Sequence, residues 1–205
     1  SSKKEQSYVT ASNGNLNHVT VVMNDEEWNG ELGETVRNEI ASVYEGLPID
    51  EPRFSLRHLH PTAFDGFFRN SRNILWFVKD SIARFQMMEN FMAKPQLVAK
   101  VTGEDDDVHA YLLEENIKLF KASLTEKEQK EKRRRIKKSP TKDRDLQERF
   151  QILMPYPTAY KTVKDTANFV WIQKEIPKGH MNLVAYSLPS NSLRGNVKKR
   201  ILEIR

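Results

Sequence analysis

The sequence contains no cysteine, which excludes disulfide bonds, thiolate catalysis and thiolate metal ligands. Its eight glycines are few and do not cluster, so no glycine-rich loop is available to hold a phosphate. The zinc-protease motif HExxH and the nucleophile motif GxSxG are also missing. Carboxylates are abundant, but many stand where predicted helices begin, a position that the helix dipole favours. We therefore expect a protein that is not an enzyme and that carries no cofactor.

Long hydrophobic runs are lacking too. No apolar stretch approaches the roughly 18 residues that a membrane span needs, and the chain as given shows no signal peptide. With 205 residues, of which 38% are hydrophobic and 30% charged, the chain is long enough to form an ordinary globular core. We expect two closely packed halves of about 95 residues each.

What the sequence does contain is a strongly basic segment. Residues 127–138 include eight lysines and arginines against two glutamates, and the net charge of the whole chain is +5. The candidate residues for binding nucleic acid or anionic lipid are Lys132, Arg133, Arg134, Arg135, Lys137 and Lys138. The alternative is a solvent-exposed helical face, because glutamates precede several of these cations by three or four residues and no interleaved aromatic residue can stack on bases. We favour the exposed face.

The chain also contains a pattern of internal repetition. The stretch RFSLRHLHPTAF at 53–64 returns as RFQILMPYPTAY at 149–160. Two shorter matches follow in the same order, 73–79 with 168–174 and 97–99 with 183–185. Three collinear matches predict a duplicated unit. The residues then expected in equivalent places are Phe54 and Phe150, Trp76 and Trp171, and Leu97 and Leu183.

These patterns predict an α+β protein. We expect two pseudo-repeated helix-strand-strand-strand units, with antiparallel sheets, helices packed on the sheets and one long charged helical segment. Residues 1–16 are polar and lack an apolar period, which predicts a flexible tether. Residues 17–205 are then a single folded region made of two repeats, at about 17–122 and 126–205. The apolar run from Ile74 to Val78 predicts a central strand covered on both faces.

The charged helical segment is predicted in two parts. The first helix covers 104–122, and its buried stripe is expected to consist of Val108, Leu112 and Leu119 with Tyr111 and Phe120. Thr125 followed by Glu128 has the form of a capping box. This pair predicts a new helix, or a bend, from 126 to 138.

Two histidines are candidates for a metal site. His58 and His60 alternate along a predicted strand and therefore project from the same face. Their counterparts in the second repeat are Met154 and Tyr156. Because a catalytic zinc usually needs three protein ligands and the sequence places no third one, we favour structural histidines over a metal-dependent enzyme.

The segment 85–92 is a candidate surface for a protein partner. Methionine-rich apolar surfaces recur at adaptable interfaces, and the residues concerned are Phe85, Met87, Met88, Phe91 and Met92. The alternative is that they cover the core. We favour the core, because exposed apolar patches are the exception in soluble proteins.

Several short motifs resemble those of a known family. They are Ala93-Lys94-Pro95-Gln96, Asn168-Phe169-Val170-Trp171 with Lys174-Glu175, and Met181-Asn182-Leu183. On these residues the chain resembles a family of envelope lipoproteins of Bacteroidota that is described only as a domain of unknown function. The likeness runs from about Asn17 to Arg205, and it carries over no catalytic residue.

The resemblance implies a place in the cell envelope. It implies an export signal ending in a lipidated cysteine ahead of the tether, and hence membrane association through an N-terminal lipid anchor that is not present in this chain. Residues 1–4 lack the acidic run of surface-exported lipoproteins, which favours the periplasmic face of the outer membrane. The expected function is a non-enzymatic scaffold or protein-binding module whose partner is another envelope protein or an outer-membrane complex. Polyanion binding, with nucleic acid the less favoured ligand, and a metal enzyme at His58 and His60 are the alternatives.

Overall fold

In a computed structural model the chain forms two compact units, residues 1–131 and 132–205. The structure describes residues 9–45, 47, 50–141, 145–177, 179–189, 195–196, 199–200 and 203. Among these residues, no helix combines the length and the apolar character that a membrane span requires.

The first unit alternates strands and helices. Its strands are β1 (Thr10–Ala11), β2 (His18–Val22), β3 (Ser55–Leu59), β4 (Asn73–Lys79), β5 (Arg84–Glu89), β6 (Ala93–Lys94) and β7 (Leu97–Gly103). Its helices are α1 (Asp25–Asn29), α2 (Glu31–Ile40), α3 (Gly66–Arg69) and α4 (Asp106–Lys138), whose last turns belong to the second unit. A short 3-10 turn, Pro61–Ala63, precedes α3.

The main sheet of the first unit has the strand order β3-β2-β4-β7-β5. Strands β3, β2, β4 and β7 are parallel to their neighbours, and only the edge strand β5 is antiparallel. This corrects the expectation of an antiparallel sheet in this half. The physical reason is the length of the connections, because the 13 residues between β3 and β4 are enough for the crossover that parallel strands need.

Both faces of this sheet are covered. On one face, helices α2 and α4 enclose the largest core cluster, in which Val21, Leu75, Phe77, Leu113 and Phe120 are all at most 3% exposed. On the other face, a smaller cluster joins strand residues to the segment around α3. Strand β4 is therefore central and covered on both sides, which confirms the prediction from its apolar run.

Helix α4 is one continuous helix of 33 residues, which corrects the break predicted near Thr125. The Thr125 hydroxyl donates a hydrogen bond to the Lys121 carbonyl at 2.8 Å, a bond that a threonine makes inside a helix rather than at its start. The predicted stripe is only partly right, because Phe120 is fully buried whereas Leu119 and Tyr111 are 56% and 62% exposed. The buried residues are His109, Leu113, Ile117, Phe120, Leu124, Glu128 and Glu131.

The second unit is a small antiparallel sheet beside a short helix. It contains α5 (Asp145–Phe150), β8 (Lys161–Thr166), β9 (Phe169–Ile176) and β10 (Gly179–Tyr186), with the strand order β10-β9-β8. Its core is formed by Leu146, Tyr156, Val170, Ile172 and Ala185. Two residues separate β8 from β9 and β9 from β10, and links of that length permit only antiparallel hairpins.

The α+β class, the helices beside sheets and the long charged helix are confirmed. The residues matched between the two halves, however, do not occupy equivalent places. Phe54 precedes strand β3, whereas Phe150 ends helix α5. Trp76 and Leu97 lie on parallel neighbours, whereas Trp171 and Leu183 lie on antiparallel ones. The match of 53–64 with 149–160 thus does not repeat a strand, and the two shorter matches repeat strands without repeating their pairing.

Residues 10–16, which the sequence assigned to a tether, contact the first unit. Strand β1 pairs in parallel with β6, and the Asn13 backbone N–H donates to the Asn70 carbonyl at 2.8 Å. The Asn13 side chain donates to the Phe67 carbonyl, also at 2.8 Å. This polar stretch is therefore held by hydrogen bonds rather than by apolar burial.

Candidate functional site

The order of the parallel strands defines one edge as a place for a ligand. The chain runs from β2 to β3 on one side and then crosses to β4 on the other side of β2. Open α/β sheets bind ligands outside the carboxyl ends of the strands where the order reverses in this way. The side chains at this carboxyl edge are Glu27 after β2, Lys79 at the end of β4, and Asp106 and His109 after β7.

Glu27 is buried at this edge although it is a carboxylate, with 4% of its surface exposed. The Asn24 backbone N–H donates to its Oε2 at 3.0 Å as part of a capping box at the start of α1. The other oxygen, Oε1, is buried and has no hydrogen-bond partner in the described part of the chain. The nearest cation is Lys79, whose Nζ lies 3.8 Å from Oε1.

His109 is fully buried in the first turns of α4. The helix approaches the sheet closely at Gly103, where a Cβ would lie 2.6 Å from Val108 Cγ1 and 3.1 Å from His109 Cδ2. The His109 Nε2 lies 3.2 Å from the Val78 carbonyl oxygen. Its Nδ1 is buried, and none of the residues that the structure describes forms a hydrogen bond with it. A glycine at the strand end therefore permits the approach that places this imidazole.

Asp106 completes a group of three potential metal ligands. The donor atoms of Glu27, Asp106 and His109 all lie within 4.8 Å of one another. Asp106 is exposed, and its Oδ1 lies 3.9 Å from the same Lys79 ammonium. The sequence interpretation missed this group, since it assigned the acids at 104–107 to the helix dipole. The available signal was that all three residues follow the ends of buried strands.

The two histidines chosen from the sequence have structural contacts. The His58 Nε2 bonds the Met23 carbonyl at 2.9 Å, and its ring stacks on Trp28 with a centroid distance of 4.8 Å. The His60 Nδ1 accepts a hydrogen bond from the Thr62 backbone N–H and so caps the 3-10 turn. These contacts agree with the favoured interpretation of both rings as structural.

The opposite edge of the sheet is built around a buried ion pair. Arg72 and Glu128 are 4% and 2% exposed, and Arg72 Nε donates to Glu128 Oε1 at 2.7 Å. The same carboxylate accepts from the Asn73 side chain at 2.7 Å and from the Asn17 backbone N–H at 2.6 Å. The Arg72 guanidinium also donates to the carbonyls of Gly14 and Asn15. This network ties the N-terminal segment and β4 to helix α4.

A cavity of about 160 Å³ lies beside this network and is lined in part by His18, Arg57 and Arg72. Burial, together with the Arg57 and Arg72 guanidinium groups, lowers the pKa of His18 below its ordinary value of 6.5, while Glu128 acts in the opposite direction. The cavity wall is therefore unfavourable for a further positive charge.

This environment predicts a pH-dependent stability. As pH falls below 6.5, His18 takes up a proton in the unfolded chain before it does so in the folded one. The free energy of unfolding therefore decreases. Urea denaturation from about pH 7.5 to about pH 5 measures the free energy of unfolding of the wild type and of His18→Gln. As pH falls, the wild type should lose more of this free energy than the variant. A difference between the two proteins that stays constant with pH would contradict the expectation.

The structure places the remaining candidates as follows. Phe85 and Met87 pack against the larger core cluster, and Met88 and Met92 pack against the smaller one. Only Phe91 of that set is largely exposed, so core packing accounts for most of the methionine-rich segment. The six basic candidates are all exposed on the last turns of α4: Lys132, Arg133, Arg134, Arg135, Lys137 and Lys138. Polyanion binding there stays a prediction.

Comparison with known proteins divides the chain in nearly the same place as the fold does. Residues 12–137 match a domain of unknown function, DUF8532, and residues 139–205 match a second one, DUF4837. No characterised protein and no solved structure matches the chain. The boundary between the two family matches lies close to the division between the compact units at Glu131.

Proposed function

For this chain, which belongs to the DUF8532 family, we propose a non-enzymatic binding module that takes its ligand at the carboxyl edge of the parallel strands. The observation that carries the proposal is a pair of buried polar atoms that have no hydrogen-bond partner among the described residues, Glu27 Oε1 and His109 Nδ1, at the reversal of strand order. Buried polar groups are nearly always hydrogen-bonded. These two atoms lack a hydrogen bond at the edge where open α/β sheets bind ligands. This arrangement supports a site in which a bound ligand interacts with both atoms.

A thermal-shift screen of the whole chain tests this proposal. The screen covers divalent cations, small anions and neutral metabolites, and it compares the wild type with Glu27→Gln and Glu26→Gln. Glu26 is the matched control, because it is the adjacent residue of α1 and is exposed. At least one ligand class should raise the melting temperature of the wild type and of Glu26→Gln but not of Glu27→Gln. Equal shifts in all three proteins, or no shift with any class, would contradict the proposal.

We also propose that the module belongs to an envelope lipoprotein at the periplasmic face of the outer membrane, where it engages another envelope protein. The motif resemblance at 93–96 and 168–175 supports this compartment. Membrane fractionation of cells producing the full-length protein, with metabolic labelling by an alkyne fatty acid, tests it. The labelled protein should sediment with the outer membrane and co-elute with a membrane partner. A freely soluble, unlabelled cytoplasmic protein would overturn this placement.

A further inference from the structure

We infer that Glu27, Asp106 and His109 form a binding site for one divalent transition-metal ion, with Zn²⁺ as the representative case. This inference rests on the proposed function, because it names the ligand class of the same carboxyl-edge site. The three side chains offer two carboxylate oxygens and one imidazole nitrogen, and their donor atoms lie within 4.8 Å of one another. Two donors bound to one zinc at about 2.1 Å lie roughly 3.4 Å apart. The three donor atoms therefore need to move only slightly closer together to bind one ion.

The required movement can come from Asp106, the most exposed of the three ligands. Glu27 and His109 are buried and fixed by their neighbours, whereas Asp106 is exposed at the first residue of α4. An exposed aspartate can change its side-chain rotamer without disturbing the core. The site therefore consists of two preorganised ligands and one that completes the coordination.

The protonation pattern of His109 suits a metal ligand. Because its Nε2 faces the Val78 carbonyl oxygen at 3.2 Å, Nε2 carries the proton and donates. Nδ1 then holds the free electron pair, and it is the atom that has no partner. A metal-bound histidine usually donates its second ring N–H to a carbonyl or carboxylate, which fixes the tautomer and the ring orientation. The tilted ring of Phe77, at a centroid distance of 5.5 Å, supports the same orientation.

Glu27 is arranged in a comparable way. Its Oε2 is occupied by the Asn24 backbone N–H, which leaves Oε1 as the free oxygen. Oε1 points to the side where Lys79 and Asp106 lie, since the Lys79 ammonium is 3.8 Å from Oε1 and 3.9 Å from Asp106 Oδ1. Each of the two buried ligands thus has one atom bonded to the backbone and a second atom without a hydrogen-bond partner among the described residues.

The Lys79 ammonium group competes with a metal ion for the carboxylates of Glu27 and Asp106. Its distances to the two carboxylates are longer than a hydrogen bond, so it balances their charge without satisfying Glu27 Oε1. Its side chain is 58% exposed, and it can therefore swing towards solvent when a dication enters. A lysine at this position is expected to weaken metal binding by charge repulsion without occupying a coordination position.

The donor set selects the class of ion. Imidazole together with carboxylate suits zinc and its transition-metal neighbours, whereas magnesium and calcium prefer oxygen ligands alone. Three protein ligands also leave a fourth position of a tetrahedral ion open. That position is available to water or to a donor group of the proposed envelope-protein partner.

Isothermal titration of the tag-free whole chain with ZnCl₂ tests the inference. The wild type should bind one Zn²⁺, and Asp106→Asn and His109→Gln should each weaken binding by at least about 100-fold, the upper range for lost supporting contacts at metal sites. Lys79→Met should raise affinity about fivefold or more, the size expected for one charge at about 4 Å in water. Mg²⁺ at the same concentration should not compete.

Matched controls separate this site from adventitious binding. Asp107→Asn makes the same change at the next, also exposed, residue of α4, and the double variant His58→Gln/His60→Gln removes the other histidine pair. Both should bind Zn²⁺ as the wild type does. Because Asp106 is exposed, Asp106→Asn remains informative even if His109→Gln fails to fold. No zinc binding by the wild type, or equal binding by Asp106→Asn and Asp107→Asn, would overturn the inference. If another ligand class shows a Glu27-dependent thermal shift while zinc does not bind, the metal inference fails and the binding module stands.

Discussion

Replacing Glu128 with alanine is expected to lower the free energy of unfolding by about 3–5 kcal/mol, because the variant leaves a buried arginine without its counter-ion. Three donors lose an acceptor together: the Arg72 guanidinium, the Asn73 side-chain amide and the Asn17 backbone N–H. The alanine side chain provides no hydrogen-bond acceptor for any of these donors. Chemical denaturation of the purified chain measures the effect.

The control for this change is Glu126→Ala, two residues earlier in α4 and exposed to solvent. An exposed substitution of that kind changes stability by at most about 0.5 kcal/mol. Removing Arg72 as well should cost less than the sum of the single losses, because the two groups act as one unit. Equal stabilities for Glu126→Ala and Glu128→Ala would show that the buried pair contributes nothing.

The second large effect is expected at Phe120, whose replacement by alanine should cost about 3–5 kcal/mol. Phe120 is fully buried in the core cluster between α4 and the sheet, and its removal leaves a cavity in addition to the lost burial of the ring. The matched control is Leu119→Ala, the adjacent residue on the same helix, which is 56% exposed. The control should change stability by at most about 0.5 kcal/mol.

Phe120 and Leu119 also test the phase of helix α4. If Leu119 were buried together with Phe120, as the sequence predicted, Leu119→Ala would also cost about 2–5 kcal/mol. Thermal denaturation of both variants side by side gives the order directly. The structure requires Phe120→Ala to melt at the lower temperature.

The central strand was predictable from the sequence, whereas the phase of α4 was not. Five apolar residues from Ile74 to Val78 favour a strand buried on both faces regardless of their context. In α4, apolar residues lie on more than one side, and two of its buried positions, Glu128 and Glu131, are charged. A hydrophobic pattern cannot find a buried face that is made partly of glutamates. That face follows only once Arg72 is known to lie opposite Glu128.

The direction of the strands was predictable in one half only. The two-residue links of the second unit allow hairpins alone, and its antiparallel sheet agrees with the expectation. In the first unit, the 13 residues between β3 and β4 are enough for a crossover, but their number alone does not require one. The similarity between 53–64 and 149–160 gives no guide to strand direction either, because the first stretch contains strand β3 and the second contains no strand.

The sequence shows that the residues of the candidate site follow buried strands, but it does not show that they lie together. Glu27, Asp106 and His109 come from α1 and α4, which lie far apart along the chain, and neither helix carries a metal-binding motif. Only the parallel order of β2, β4 and β7 brings their carboxyl ends to one edge. Residue spacing identifies ligands that share a local segment, such as His58 and His60, and not ligands that a sheet assembles from several connections.

The pairing of the N-terminal segment with Glu128 also determines when the first unit can complete its fold during synthesis. The bond from Asn17 to Glu128 joins residues 111 positions apart, and contacts of such long range slow folding. A nascent chain that ends before Glu128 has its parallel strands but no counter-ion for Arg72. Ribosome-bound chains shorter than this are therefore expected to remain protease-sensitive, and the first unit should become protected only after α4 has left the exit tunnel.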